Sequence, residues 1–302
     1  MTGEQRRTVE QEIRGLDEEW KCLLRPWWKA GGYKIIKNLD DLLAEIGEEN
    51  FHPSLCAAFR PFKCLKPCEV KVVIVGQDPY PCYRNATGLA FSLPKNEKRC
   101  PRRKYAPCVH SVYDALEKDA GIEGTVPEEV GNLDYLAKRR VLLMNASFTY
   151  SCKAKKRGGK ACRGEDCAQK SEGCKHQCIK KEWHNFSGAV VTALLNEKEQ
   201  KKVFMFWGGD AQNLVCEGEP WGGCPEKWQT IFQDWPEAIK KGSRVIGGGE
   251  ACVNGHKIFS AHHPSYKDGQ CFINGAGRGK HFSKANEFLA ENGLCEIGWL
   301  PD

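Results

Sequence analysis

VKVVIVGQDPYPCYRNATGLAFS, residues Val70–Ser92, decides how the rest of the chain is read. Its Val72-Val73-Ile74-Val75 run is apolar at every position, the pattern of a strand covered on both faces, since a strand with one wet face would alternate. Gly76 ends the run by permitting a tight turn, and Pro79 and Pro81 stiffen the loop beyond it. Gln77, Asp78 and Tyr80 are thereby held rigidly at a strand's carboxyl end, where open α/β sheets place their ligands. On its own, Gly-x-Asp-Pro also reads as a turn capped by its aspartate.

Three further apolar runs each end in polar or aromatic residues: Val141-Leu-Leu-Met-Asn145-Ala, Val203-Phe-Met-Phe-Trp207-Gly-Gly and Lys257-Ile-Phe-Ser-Ala-His262-His263-Pro-Ser265. Four such strands predict an α/β fold, a three-layer α/β/α arrangement around a central four-stranded, mostly parallel sheet. A chain of 302 residues could hold two domains, but the motifs interleave along one sheet and 41% hydrophobic content suffices for one core. The expectation is one domain over residues 1–302, with inserts at about 152–180 and 213–250. From Glu4 to about Ile46 the spacing is helical, with Trp20, Leu23, Leu24 and Trp27 as packing residues.

In order and spacing these motifs resemble the uracil-DNA glycosylases of the family-1 type. Gly76-Gln77-Asp78-Pro79-Tyr80 matches the water-activating loop, Gly88-Leu-Ala-Phe91-Ser92 the base-stacking segment, Leu142-Leu-Met-Asn145-Ala the base-reading strand, and His263-Pro264-Ser265 the histidine loop. His281-Phe-Ser-Lys-Ala-Asn286-Glu-Phe-Leu is similar to the terminal helix, and the likeness runs with interruptions from about Leu16 to the C-terminus. It implies hydrolysis of the bond joining uracil to deoxyribose, the opening step of base-excision repair. The implied partner is uracil-containing DNA, single- or double-stranded, and the implied enzyme is a monomer needing no metal or organic cofactor for catalysis.

The residue types suit that chemistry. Extruding a stacked, paired base costs a few kcal/mol, which the pocket must offset. Phe91 offers an aromatic face worth roughly 1 to 3 kcal/mol. The Asn145 amide carries a donor and an acceptor, matching the O4 and N3–H edge of uracil and opposing that of cytosine. Tyr80, packed beside C5, leaves no room for the thymine methyl, and Gln77 contributes backbone amide contacts. The resemblance implies a dissociative route through an oxocarbenium cation and a uracil anion. Asp78 as carboxylate favours the cation and orients water, while neutral His263 donates toward uracil O2.

Four positions depart from the family pattern. Pro81 stands where most members have histidine, although Asp-Pro-Tyr-Pro also resembles poxviral glycosylases. Two histidines adjoin, and only the register against Pro264-Ser265 favours His263 over His262. Tyr266-Lys267 replaces the leucine that enters the minor groove, so one of the two must take that role. After Trp207 the chain reads Gly208-Gly209-Asp210, which removes a hydroxyl contact to phosphate and sets a carboxylate near DNA. The resemblance assigns DNA contacts to Pro107, Cys108, Gly208, Gly209, Ser265, Tyr266 and Lys267. The Pro81, Gly209 and Tyr266-Lys267 changes also admit a weakly active or inactive DNA-binding scaffold of the same fold. Altered base choice is a third reading, opposed by the complete Tyr80, Phe91 and Asn145 set.

Lys and Arg number 45 against 39 Asp and Glu, a net +6 that matters for DNA only where clustered, as in Lys98–Lys104 and Lys153–Arg163. No apolar stretch is of membrane-spanning length and Met1-Thr-Gly-Glu-Gln lacks a signal core, so the expectation is an intracellular protein of the nucleus or another DNA-containing compartment, not a secreted one. Seventeen cysteines are many for such a protein. Cys162, Cys167, Cys174 and Cys178 fall in a Lys- and Gly-rich insert too poor in apolar residues to build a core, which leaves structural zinc, free thiols, an iron-sulfur cluster or disulfides open. Cys56, Cys64, Cys68 and Cys82 read as small core residues.

Overall fold

The computed structural model describes residues 7–95, 107–124, 131–151, 175–216 and 249–301. Both basic runs, most of both inserts, and Cys162, Cys167 and Cys174 lie outside the described residues, as does the side chain of Cys178.

The N-terminal helical stretch is broken into α1 (Val9–Arg14), α2 (Glu18–Trp27) and α3 (Tyr33–Ile46). The breaks have local causes. Thr8 caps α1 by accepting from the Gln11 N–H, Asp17 caps α2 by accepting from the Glu19 N–H, and Gly31, at φ 116°, turns the chain before α3. Trp20 and Leu24 point inward, and the buried Trp20 indole donates to the Leu65 carbonyl at 2.7 Å. Two short helices come next, α4 (Leu55–Ala58) and α5 (Arg60–Cys64). They bury Leu55, Ala58, Pro61 and Phe62 and turn Cys56 and Cys64 outward. Cys68 and Cys82 are exposed as well, so these four thiols are surface groups and not the core residues expected.

The remaining elements are strands β1 (Phe51–His52), β2 (Val72–Gly76), β3 (Val141–Asn145), β4 (Tyr150–Ser151), β5 (Val203–Trp207), β6 (Gly249–Val253) and β7 (His256–Ala261), with helices α6 (Pro107–Lys118), α7 (Asp134–Lys138), α8 (Lys175–Leu195), α9 (Gly209–Cys216) and α10 (His281–Glu291). The main sheet runs β3-β2-β5-β7-β6; β3, β2, β5 and β7 are parallel and β6 is antiparallel to β7. The sheet therefore has five strands, one more than expected. The extra strand, GEACV, is a half-covered edge whose burial alternates, and it begins inside the stretch read as an insert. Likewise α8 starts at Lys175, inside the first expected insert, because Lys175–Lys181 contains no Gly or Pro to delay a helix.

Alternation along the parallel strands fills two cores. Val73, Val75, Leu142, Met144, Phe204 and Phe206 face α1–α3 and α8, while Val72, Ile74, Leu143, Val203, Met205 and Trp207 face α6, α7 and α10. Both faces are covered, which is why the strands read as continuous apolar runs. On the second face, Asp119, 1% exposed at the end of α6, caps α10 in trans. Its carboxylate accepts from the N–H groups of Phe282 and Ser283 at 3.0 and 2.9 Å and from the Ser283 hydroxyl at 2.6 Å. Asp119→Ala leaves these donors unmet and is expected to cost about 2–4 kcal/mol, read as a lower urea midpoint at unchanged m. Among the described residues no helix is long and apolar enough to cross a membrane.

Candidate active site

Because β3, β2, β5 and β7 are parallel, their carboxyl ends lie along one edge, and the chain order changes direction between β2 and β5. Asp78 follows β2 at that switch point. Register sets the rest: Gly76 pairs with Asn145, and Trp207 with Ala261. Pairing continues past the sheet, with Ala146 N–H donating to the Gly76 carbonyl and Ser147 N–H to the Gln77 carbonyl, both at 2.9 Å. The loop carrying Asp78 is thus tied to the strand carrying Asn145.

At Gly76 two side chains close on the backbone of the loop. A Cβ there would lie 2.7 Å from Asn145 Oδ1 and 2.7 Å from Phe91 Cζ, so glycine lets the amide and the ring edge approach the same backbone point. Asn145 is 4% exposed. Phe91 sits at φ 63°, a strained backbone state for a bulky residue and one that clusters at functional sites. Its ring lies between Trp207 at 5.3 Å and His263 at 5.9 Å. Tyr80 is half-buried, and its phenol donates to the Phe91 carbonyl at 2.9 Å.

Both histidines of the pair are placed, and they diverge. His262 stacks on Tyr266 at 5.0 Å and 3° between planes, whereas His263 turns to the Phe91 ring. Gly208, at φ 101°, leaves space for it, since a Cβ there would come within 2.9 Å of His263 Cβ. His263 Nδ1 accepts from the Ser265 N–H at 3.2 Å and lies 2.8 Å from Ser265 Oγ. A nitrogen accepting a backbone N–H carries no proton of its own, so the proton of neutral His263 is on Nε2. Burial pushes the imidazole down to about 4, partly opposed by Asp210, and the ring is neutral at pH 7. Ser265 is therefore a partner of His263 besides being an exposed hydroxyl.

Burial pushes the Asp78 carboxyl up to about 6; the Asp210 carboxylate adds to the rise, while the Lys180 ammonium and the Gln77 amide oppose it. Asp210, expected as a bare carboxylate facing DNA, is instead paired with Lys180 at 2.6 Å. Lys180 and Asp210 are 30 residues apart and Lys180 fell within an expected insert, so no sequence signal marked the pair. Nearby His184 keeps a buried Nε2 without a hydrogen-bond partner, and burial holds it down to about 4.

Cys108 is buried near the start of α6, which Pro107 opens. Burial and the neighbouring Asp78 push its thiol up to about 12, which keeps it an uncharged part of the wall beside Tyr80 and Ser265. Gly209 is exposed and starts α9. Tyr266 is 41% exposed, with Lys267 Nζ 5.6 Å from its ring centre. Among the described residues no group of three or more His, Cys, Asp or Glu converges as a metal site, so nothing described supports the zinc expectation.

The arrangement can hold a planar base between an aromatic ring and a backbone turn, read one edge with an amide, and offer a carboxylate and a neutral N–H donor around it. Comparison with known proteins places the whole chain among uracil-DNA glycosylases. A uracil-DNA glycosylase of Sinorhizobium medicae is 30% identical over 290 residues, 95% of this chain and 92% of the relative. One of Campylobacter jejuni is 29% identical over 285 residues, 94% of each chain. The crystal structure of mimivirus uracil-DNA glycosylase has a TM-score of 0.64 at 19% identity, covering 98% of this chain and 90% of that one. The UNG of Nitratifractor salsuginis gives 0.54 at 17% identity, with 92% and 95% covered. At such identities the two structures attest the fold alone. No family model matches the chain.

Proposed function

The chain belongs to the uracil-DNA glycosylase family, and from that premise we propose that it hydrolyses the N-glycosidic bond of deoxyuridine flipped out of DNA, releasing uracil and leaving an abasic site, by the family-1 route with Pro81 in the water loop. The observation that carries this reading is the meeting of Gly76, Asn145 Oδ1 and the Phe91 ring at one point, with His263 against the same ring.

Uracil stacks on Phe91 and is read at O4 and N3–H by Asn145, while Tyr80, fixed by its bond to the Phe91 carbonyl, closes the C5 side. As the C1′–N1 bond breaks, its electron pair leaves with uracil. The Asp78 carboxylate stabilises the positive sugar, orients the water that adds to C1′ and accepts the proton that water loses, and the His263 Nε2–H stabilises charge on O2. No metal or organic cofactor enters these steps. Tyr266, exposed and backed by His262, is the better wedge of the two candidates, because an aromatic plane can stack where the base has left; Lys267, Ser265, Gly208, Gly209 and Pro107 are read as phosphate contacts, while the buried Cys108 side chain serves as pocket wall. We read the enzyme as a monomer that acts in a compartment that holds DNA. The scaffold reading is not favoured, since relatives matched over nearly the whole chain are glycosylases.

The test is release of free uracil from an oligonucleotide with a single deoxyuridine. The expected result is release from single and double strands, and failure on both overturns the reading.

A further inference from the structure

We propose that His52 is a positioning residue for base choice, holding the backbone of Tyr80 so that its ring stays against the C5 edge of the bound base. The inference rests on the glycosylase reading above and adds to it a residue outside every motif that led there.

His52 Nε2 lies 3.1 Å from the Tyr80 carbonyl oxygen. A carbonyl only accepts, so Nε2 carries the proton and donates. The geometry of His52 is itself fixed. Phe51 is buried in the core, and β1 pairs with β4 so that His52 stands opposite Tyr150, the two rings 5.4 Å apart at 43°. β4 comes directly after the segment whose Ser147 N–H holds the Gln77 carbonyl. One small two-stranded sheet therefore braces the catalytic loop from outside while β3 braces it from below.

The loop needs that brace because Pro79 and Pro81, on either side of Tyr80, have no N–H to donate. Tyr80 is consequently held at two ends, its carbonyl by His52 and its phenol by the Phe91 carbonyl at 2.9 Å. A ring fixed at both ends can exclude a methyl group, while one tethered only by its phenol can tilt away. Burial keeps His52 below the usual imidazole range, so it donates in the neutral form at pH 7 and the hold does not depend on charge.

The experiment compares kcat/KM for release of uracil and of thymine from single-stranded oligonucleotides carrying one deoxyuridine or one thymidine. His52→Phe keeps a ring for Tyr150 but removes the donor. It is expected to raise the thymine-to-uracil ratio by about tenfold or more, the scale of one methyl group in a tight pocket, whereas His52→Gln, which retains a donor, returns toward wild type. Should His52→Phe not fold, as judged by its thermal midpoint, His52→Asn, too short to reach the carbonyl, carries the same readout. A fall in uracil release at an unchanged ratio overturns the inference, since that is what lost packing alone does. Tyr80→Ala separates the two levels. If it releases thymine while the His52 variants do not, the His52 inference fails and the glycosylase reading stands; if wild type releases no uracil, the reading itself fails.

Discussion

Asp78→Asn lowers uracil release by roughly 10²- to 10⁴-fold at pH 8 and at the same time makes the fold more stable. The two effects have one source. Burial lifts the Asp78 carboxyl to about 6, so at pH 8 the protein holds a carboxylate that its surroundings disfavour. In the unfolded chain an aspartate loses its proton at roughly 3.9. Between about pH 4 and 6 the folded state thus binds more protons, stability falls as pH rises through that window, and above it the loss is on the order of 2 to 3 kcal/mol. The asparagine variant carries no charge at this position and escapes the loss. Urea midpoints of the two proteins are expected to differ at pH 8, draw together as pH falls through 6 to 4, and converge below about pH 4. Activity runs the opposite way: kcat/KM of the wild type rises about tenfold per pH unit up to near pH 6 and is level above it. His263, down at about 4, and Cys108, up at about 12, do not titrate in that range, so the limb belongs to Asp78. A wild-type profile level from pH 5 to 8, or an asparagine variant of unchanged rate, would remove Asp78 from the chemistry.

The features legible in the sequence have local causes. Four strands could be read because both of their faces are covered, which leaves uninterrupted apolar runs, and the groups at their ends could be read because each sits next to such a run. β6 could not, for it is an edge strand with Glu250 and Cys252 in place of β-branched residues on its outer side. The start of α8 was hidden by a cysteine-rich segment whose composition outweighed the helix propensity of Lys175–Lys181. Within the site, the family motifs could name Asp78 and His263 but not what sets their protonation. The Lys180–Asp210 pair and the His52–Tyr80 contact join residues 30 and 28 positions apart, the first between helices α8 and α9 and the second from β1 to the loop after β2, a proximity that only the fold establishes. Phe91 offered no sign of its positive φ, and Cys108, read as a phosphate contact, has its side chain buried beside Asp78 because α6 begins against the loop.

His263→Ala is expected to lower kcat by about 10²- to 10³-fold with little change in KM. The reason is the direction of one proton. With Nδ1 occupied by the Ser265 N–H at 3.2 Å, the neutral ring carries its proton on Nε2, a donor fixed before substrate arrives and, on the proposed route, directed at charge that develops only as the bond breaks. Such a donor contributes little to ground-state binding and much to the transition state, which is why kcat and kcat/KM should fall together. Because the ring is already neutral well above pH 4, the variant should keep the wild-type acid limb near pH 6, displaced downward in rate and not along the pH axis. A rise in KM at unchanged kcat would make His263 a binding group for the base and nothing more. A limb that vanished with His263 would instead mean that the group titrating near 6 is the imidazole, and that the charge pair around the leaving uracil is the reverse of the one the Ser265 contact dictates.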